Sequence, residues 1–198
     1  MPNELLSFEG SISTLTNSKR VLVIGCSGSG KTTLAKHLAG AINLPHFSMD
    51  RDVFWLPGWK KRDRQSQREI LLQIVAQERW IIDGTGKASF DIRLPSADVI
   101  VWLDLPRWQC LLSVYRRVLR YRGRVRPELA DGCQEKWPDR EFLTYIWSFN
   151  SIYLPGIVAE IAKSGPNVPI VWLTSRRQVN KLIDKLPHNE LLTPYAKV

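Results

Sequence analysis

The octapeptide Gly25-Cys26-Ser27-Gly28-Ser29-Gly30-Lys31-Thr32 constrains this chain more than any other feature. It satisfies G-x-x-x-x-G-K-[ST] at every fixed position, and that pattern works only between a strand and a helix. Both are legible. The apolar run Val21-Leu22-Val23-Ile24 reads as a buried strand, and Leu34, Ala35, Leu38 and Ala39 follow at helical spacing. Glycines let the backbone wrap a phosphate without Cβ clashes. Successive N–H groups and the helix N-terminus then face the anion. The loop is therefore a candidate nucleoside-triphosphate site, with Gly25, Ser27, Gly28, Ser29, Gly30, Lys31, Thr32 and Thr33 as nucleotide-binding residues. Lys31 is expected to reach the β- and γ-phosphates, and Thr32 to hold Mg²⁺.

Beyond the loop, the pattern alternates. Strands are expected at 21–25, 44–49, 80–83, 99–104 and 169–173. Helices are expected at 31–41, around Ile70, Leu71, Ile74 and Val75, from 107 with Leu111, Leu112, Tyr115, Val118 and Leu119, at 140–162, and from about 175. This alternation predicts an α/β fold with a parallel sheet covered by helices on both faces. Ligands of such sheets bind at the carboxyl ends of the strands. Gly25, Asp50, Asp83 and Asp104 all fall at strand ends, which points to one site. The irregular stretch 123–138 breaks the pattern. We expect one domain over 1–198, with 1–18 as a short ordered or frayed extension.

Composition bounds the function classes. The 198 residues are 44% apolar and 24% charged, ordinary for a globular domain. No long uncharged apolar stretch predicts a membrane span, and residues 1–18 do not read as a secretory signal. Three cysteines, Cys26, Cys110 and Cys133, without a C-x-x-C pair fit a reduced, cytoplasmic setting. Cys26 reads as a small residue that fits a tight loop. The net charge of +9 leaves two partners open, an anionic small molecule or a nucleic acid. Oligomeric state is not legible.

Between Asp104 and Glu128 the chain carries seven arginines and no acid: Arg107, Arg116, Arg117, Arg120, Arg122, Arg124 and Arg126. Arginine suits bidentate phosphate contacts. Arg116 and Arg120 are four apart and share a helix face.

The run Val99-Ile100-Val101-Trp102-Leu103-Asp104-Leu105-Pro106 resembles the I-x-L-D-x-P strand of adenylate-kinase-like enzymes. Several further segments accompany it and the phosphate loop: Asp50, Trp55-Leu56-Pro57-Gly58-Trp59, Trp80-Ile81-Ile82-Asp83-Gly84 and Gly132-Cys133-Gln134-Glu135. Together they resemble the DNA topology modulation protein family, small P-loop kinase-like proteins related to adenylate kinases. The resemblance spans about residues 20–186. It implies a P-loop nucleoside-triphosphate-hydrolase-type three-layer fold, with a five-stranded parallel sheet and a short Arg-rich lid over about 121–138. It also implies triphosphate contacts by Arg116 and Arg120, similar to the lid-entry helix of adenylate kinases, with Arg124 as a further lid candidate. Arg176 falls in the loop after the last strand, where adenine kinases of this fold hold the base.

Asp50-Arg51-Asp52 resembles the D-x-D of shikimate- and gluconate-kinase-like enzymes, where one carboxylate holds Mg²⁺ through water and the other takes an acceptor hydroxyl. Thr32, Asp50 and Asp83 are thus the candidate metal residues, and Asp50, Asp52, Trp59, Asp83, Gly84 and Arg93 the candidate acceptor residues. The tract Asp83-Gly84-Thr85-Gly86-Lys87 departs from the Asp-Gly-x-Pro-Arg of nucleoside monophosphate kinases. Arg93 is the substitute the sequence offers, and a hydroxyl acceptor stays open. The expected function is an ATP- and Mg²⁺-dependent phosphotransferase with Lys31, Arg116, Arg120 and Asp50 as its catalytic set. The acceptor would be a nucleotide, a nucleoside or a hydroxylated metabolite. The alternative is an ATP-binding regulatory protein that binds DNA.

Overall fold

The computed structural model describes residues 4–187. It opens with helix α1 (Phe8–Asn17), then β1 (Arg20–Gly25), α2 (Lys31–Ala41) and β2 (His46–Ser48). A wide turn at Met49–Phe54 leads into a two-stranded hairpin, β3 (Trp55–Leu56) and β4 (Lys60–Lys61). Next come α3 (Arg64–Val75), β5 (Trp80–Asp83), the short α4 (Phe90–Arg93), β6 (Val99–Leu103) and α5 (Arg107–Tyr121). After an irregular segment come α6 (Arg140–Ser148), α7 (Leu154–Ser164), β7 (Ile170–Leu173) and α8 (Arg176–Lys185).

Five strands form one parallel sheet in the order β2-β5-β1-β6-β7, as the alternation predicts. The two faces of β1 explain its near-continuous apolar run. Leu22 and Ile24 join one core layer with Trp80, Trp102 and Phe90. Val21 and Val23 join the other, with Leu34, Leu38 and Leu103. Alternate residues of a strand point to opposite faces, so a sheet buried on both sides needs apolar residues at every position. The central strand β1 delivers the loop at its carboxyl end between β5 and β6, where an open sheet of this kind has its crevice.

Three details differ from the sequence expectation, and one open alternative is resolved: over its described residues the N-terminal extension is ordered and part of the fold. Ser7 caps α1, Leu15 is fully buried, and residues 4–6 bond the edge strand β7 through Leu6 N–H to Ile170 O (3.0 Å) and Ile170 N–H to Glu4 O (2.9 Å). This covers a sheet edge that would otherwise present unpaired backbone groups. Strand β2 is shorter than expected, because the chain widens at Met49 and the Ser48 N–H bonds the Asp52 carboxylate at 2.7 Å. The long helix expected at 140–162 is two helices around a wide turn at Phe149–Tyr153. Pro155, just past that turn, has no N–H to continue an α-helical ladder. Finally, α5 buries Cys110, Val114 and Val118, while Leu112, Tyr115 and Leu119 face outward.

If α1 belongs to the cooperative core, Leu15→Ala should lower unfolding free energy by about 2–5 kcal/mol, as for other buried leucine truncations. Urea denaturation checks this. A frayed extension would give almost no change.

Candidate active site

The phosphate loop is shaped by close approaches. Gly25 has φ +146°, and a Cβ there would lie 2.4 Å from the Leu103 carbonyl oxygen. Gly28 has φ +81°, and a Cβ there would lie 2.3 Å from the Cys110 carbonyl oxygen. Only glycine satisfies both the dihedral and the contact. Gly30, at φ +94°, precedes α2 and offers no capping side chain, so the first N–H groups of α2 stay open to the cleft. Thr85 ties the start of the loop to the end of β5. Its hydroxyl accepts from Gly25 N–H at 3.0 Å and donates to Gly25 O at 2.7 Å. The Lys31 ammonium donates to the Cys26 carbonyl at 2.8 Å.

A cavity of about 560 Å³ opens over this loop. Ser27, Gly28, Gly30, Lys31, Thr32 and Thr33 form its floor, and Asp50, Asp83, Arg116, Arg120 and Arg176 also line it. Gly25 and Ser29 sit beneath as framework. The Arg176 guanidinium donates to Gly28 O (3.3 Å) and Ser113 Oγ (2.9 Å), and its Nη1 is buried without a partner among the described residues. Ser29 Oγ is likewise buried and unpartnered.

The oxygens near Lys31 suit a hard divalent cation. Thr32 donates to Asp83 Oδ1 at 3.1 Å, and Asp83 Oδ2 lies 2.7 Å from His46 Nε2. Asp50 lines the same cleft. A hydroxyl and two carboxylates beside a phosphate loop are the donor chemistry Mg²⁺ takes, with water completing its shell. The residues present therefore fit the metal.

Two arginines that helix-face reasoning passed over also line the cavity, Arg117 and Arg126. Glu135, nearly fully buried, holds both: Arg117 Nε at 2.9 Å and Arg126 Nε at 2.6 Å. Arg124, the expected lid residue, is absent from the lining, and Arg126 stands there instead. The segment 122–138 is fastened at several points. Glu128 pairs with Lys36 of α2 at 2.5 Å. Gly58 N–H bonds Asp131 O at 3.1 Å, Trp59 N–H bonds the Cys133 sulfur at 3.2 Å, and Trp59 Nε1 bonds Gln134 O at 2.9 Å. Trp59 holds φ +64°, a strained conformation for an aromatic residue, and these bonds keep it there.

A second cavity, of about 410 Å³, meets the first at Asp50, which lines both. Phe54, Trp55, Leu71 and Gly86 supply its walls, with Lys61, Arg64, Arg68 and Lys87 around it. The expected acceptor residues are distributed otherwise than the sequence suggests. Asp52 is engaged by Ser48 N–H and by the Arg51 guanidinium at 2.7 Å. Trp59 packs edge-on against Trp55 and braces the 131–134 strip. Gly84 has φ +124° and sits against Met49. Arg93 is fully buried, donating to Gly84 O, Thr85 O, Gly86 O and Ser89 Oγ at 2.7–3.1 Å. It organises the loop after β5 from below. Burial pushes its guanidinium down to about 9, so it is a cation at neutral pH. Trp80 lies wholly in the core.

Asp50 is hemmed in by protein yet open to the cleft. Desolvation raises its carboxyl above the usual aspartate range, opposed chiefly by Lys31 and reinforced by Asp83. The Cys26 thiol is pushed up by its hydrogen bond with Cys110 and by burial, so it stays neutral in the loop. Among the described residues no helix is long and apolar enough to cross a membrane.

No protein-family profile matches the chain. A shikimate kinase of Baumannia cicadellinicola is 25% identical over 144 residues, covering 65% of this chain and 77% of that protein. A shikimate kinase of Buchnera aphidicola is 28% identical over 109 residues, covering 46% of this chain and 60% of that protein. Among solved structures, the shikimate kinase of Bacteroides thetaiotaomicron superposes with a TM-score of 0.52 at 16% identity, over 85% of this chain and 95% of that one. The Acinetobacter baumannii shikimate kinase in complex with shikimate gives 0.54 at 15%, over 87% and 93%. The chain thus has an adenylate-kinase-like P-loop kinase fold. With these relatives and the loop described above, it is a P-loop small-molecule kinase.

The Asp50 shift has a consequence for stability. The native state holds the Asp50 proton more tightly than the unfolded chain, so ionising it costs native stability as pH rises through the interval between the ordinary and the raised value. Asp50→Asn should therefore melt higher than the parent at neutral pH, and the difference should vanish at pH below the ordinary aspartate range. Thermal melts at several pH values check this.

Proposed function

We propose that the chain transfers the γ-phosphate of ATP to a small acceptor held in the second cavity. The observation that carries this reading is that the two cavities meet at one carboxylate, Asp50. In this reading the loop amides and Lys31 hold the phosphates, and Arg116, Arg117, Arg120 and Arg126 surround the migrating group. Phosphoryl transfer depends mainly on such positioning and charge neutralisation. Mg²⁺, held by Thr32 and through water by Asp50 and Asp83, would offset the charge on the phosphate oxygens. Asp50 takes the proton of an acceptor hydroxyl, and its raised affinity for a proton makes it a better base than an ordinary aspartate. Arg176 lies on the ATP side, beside Gly28. Asp52, Trp59, Gly84 and Arg93 act one step removed, by shaping the turns that carry Asp50 and the cavity wall.

Ten of the chain's 28 basic residues line the two cavities, six in the first and four in the second. This accounts for much of the positive charge with small anions rather than nucleic acid. The relatives are named for shikimate, a hydroxylated carboxylate, and a hydroxyl acceptor fits the same chemistry. The narrower likeness to DNA topology modulation proteins rests on the sequence motifs.

Lys31→Ala should abolish transfer of labelled γ-phosphate from ATP to any acceptor while leaving the circular dichroism spectrum intact. Asp50→Asn should cut kcat by about 10²–10⁴, the usual contribution of a positioned acid or base, with little change in ATP affinity. Full activity in either variant would overturn the reading.

A further inference from the structure

The charges of the second cavity are segregated. Its one acid, Asp50, stands at the junction with the nucleotide cavity. Four cations line it: Lys61 from β4, Arg64 and Arg68 from α3, and Lys87 from the loop after β5. Arg68 is engaged by Asp91 at 2.8 Å. The side chains of Lys61, Arg64 and Lys87 make no hydrogen bond or ion pair among the described residues. Their neighbours account for their sites but not for their charge. Asp63, beside Arg64, caps α3 through Ser66 N–H. Lys87 reaches over Gly156 at the start of α7, where a Cβ would lie 2.9 Å from its ammonium.

The three cations are solvent-exposed, so water screens their mutual repulsion, and an anion bound among them would gain attraction from all three. Phe54 and Trp55 line the same cavity. A ligand that satisfies this cavity has three parts: a hydroxyl at Asp50, an apolar or planar face against the aromatics, and an oxyanion among Lys61, Arg64 and Lys87. Asp50 itself disfavours an oxyanion at the junction, because like charges there would repel.

We propose that the acceptor is a ring compound bearing both a hydroxyl and a remote phosphate or carboxylate, and that Lys61, Arg64 and Lys87 select for that oxyanion. This rests on the phosphotransfer reading above for the role of the hydroxyl, but the anion subsite stands on its own charges. Compounds that are neutral, or whose only anion is the phosphorylated group, lack the second contact and bind weakly.

The test measures binding rather than turnover, so it separates this proposal from the phosphotransfer reading. Calorimetry would follow matched probes titrated into protein saturated with a non-hydrolysable ATP analogue and Mg²⁺: ribose against ribose 5-phosphate, adenosine against adenosine 5′-monophosphate, and shikimate against its methyl ester. We expect an anionic member to bind at least tenfold tighter than its neutral partner. In the Lys61→Ala/Arg64→Ala variant that preference should fall at least tenfold, with the affinity for the ATP analogue unchanged. Lys87→Ala, on a separate element, should reproduce the loss if the double variant folds poorly. Preference among the phosphates assigns a phosphate subsite, and preference for shikimate over its ester assigns a carboxylate subsite. Equal binding of charged and neutral partners, absence of binding by every anionic probe at millimolar concentration, or an unchanged preference in the variants would overturn the proposal. Failure of the ATP analogue to bind would instead overturn the phosphotransfer reading.

Discussion

Everything at this site depends on how closely the loop after β1 nests against two carbonyls, Leu103 at the end of β6 and Cys110 in the first turns of α5. Those contacts fix the loop's path on the side away from the cleft, and Thr85 fixes its start from β5. A backbone held on three sides cannot relax when an anion arrives, so its N–H groups are already oriented for the ligand. Preorganised dipoles of this kind incur little reorganisation at the moment of reaction. The sheet order serves the same end, because placing β1 between β5 and β6 is what puts all three supports around one loop.

Charge is organised in layers around that loop. Glu135 is buried and gives up both carboxylate oxygens to Arg117 and Arg126, which restrains two long side chains toward the nucleotide cavity. Arg116 and Arg120 line the same cavity without such a restraint. The cleft therefore combines arginines that are fixed in advance with arginines that can adapt. On the opposite side Arg93 does for backbone carbonyls what Glu135 does for guanidiniums, gathering the turn that follows β5.

The loop, the five strands, and the placement of Lys31, Thr32, Asp50, Asp83, Arg116, Arg120 and Arg176 around one cavity were legible in the sequence. Each lies in a fixed-spacing motif, on one helix face, or at a strand's end, where local pattern carries the information. What was not legible depends on contacts between distant segments. Glu135 lies 18 residues from Arg117, and nothing in the spacing announces that pair. Choosing Arg124 over Arg126 required knowing how the irregular segment folds back, which two isolated bridges decide, Arg122 with Glu135 and Val125 with Gln134. The sequence offers Asp52 as an acceptor contact through its likeness to a D-x-D motif, and Arg93 as the substitute for an arginine missing from the tract after Asp83. In the structure Asp52 accepts from Ser48 N–H and Arg51, and Arg93 donates to three carbonyls of the turn after β5 and to Ser89 Oγ. The apolar residues of α1, Phe8, Ile12 and Leu15, stand among serines and threonines, which blurs its helical period in the sequence.

The fastening of residues 131–134 to the turn between β3 and β4 has a mechanical meaning. That turn is continuous with Lys61 on the acceptor side, and the segment it grips carries Arg126 on the nucleotide side. With the strained Trp59 as the pin, hydrogen bonds tie the two walls to each other. The acceptor wall and the nucleotide wall are thus one linked piece of chain, and a substitution that cuts those bonds loosens both cavities at once.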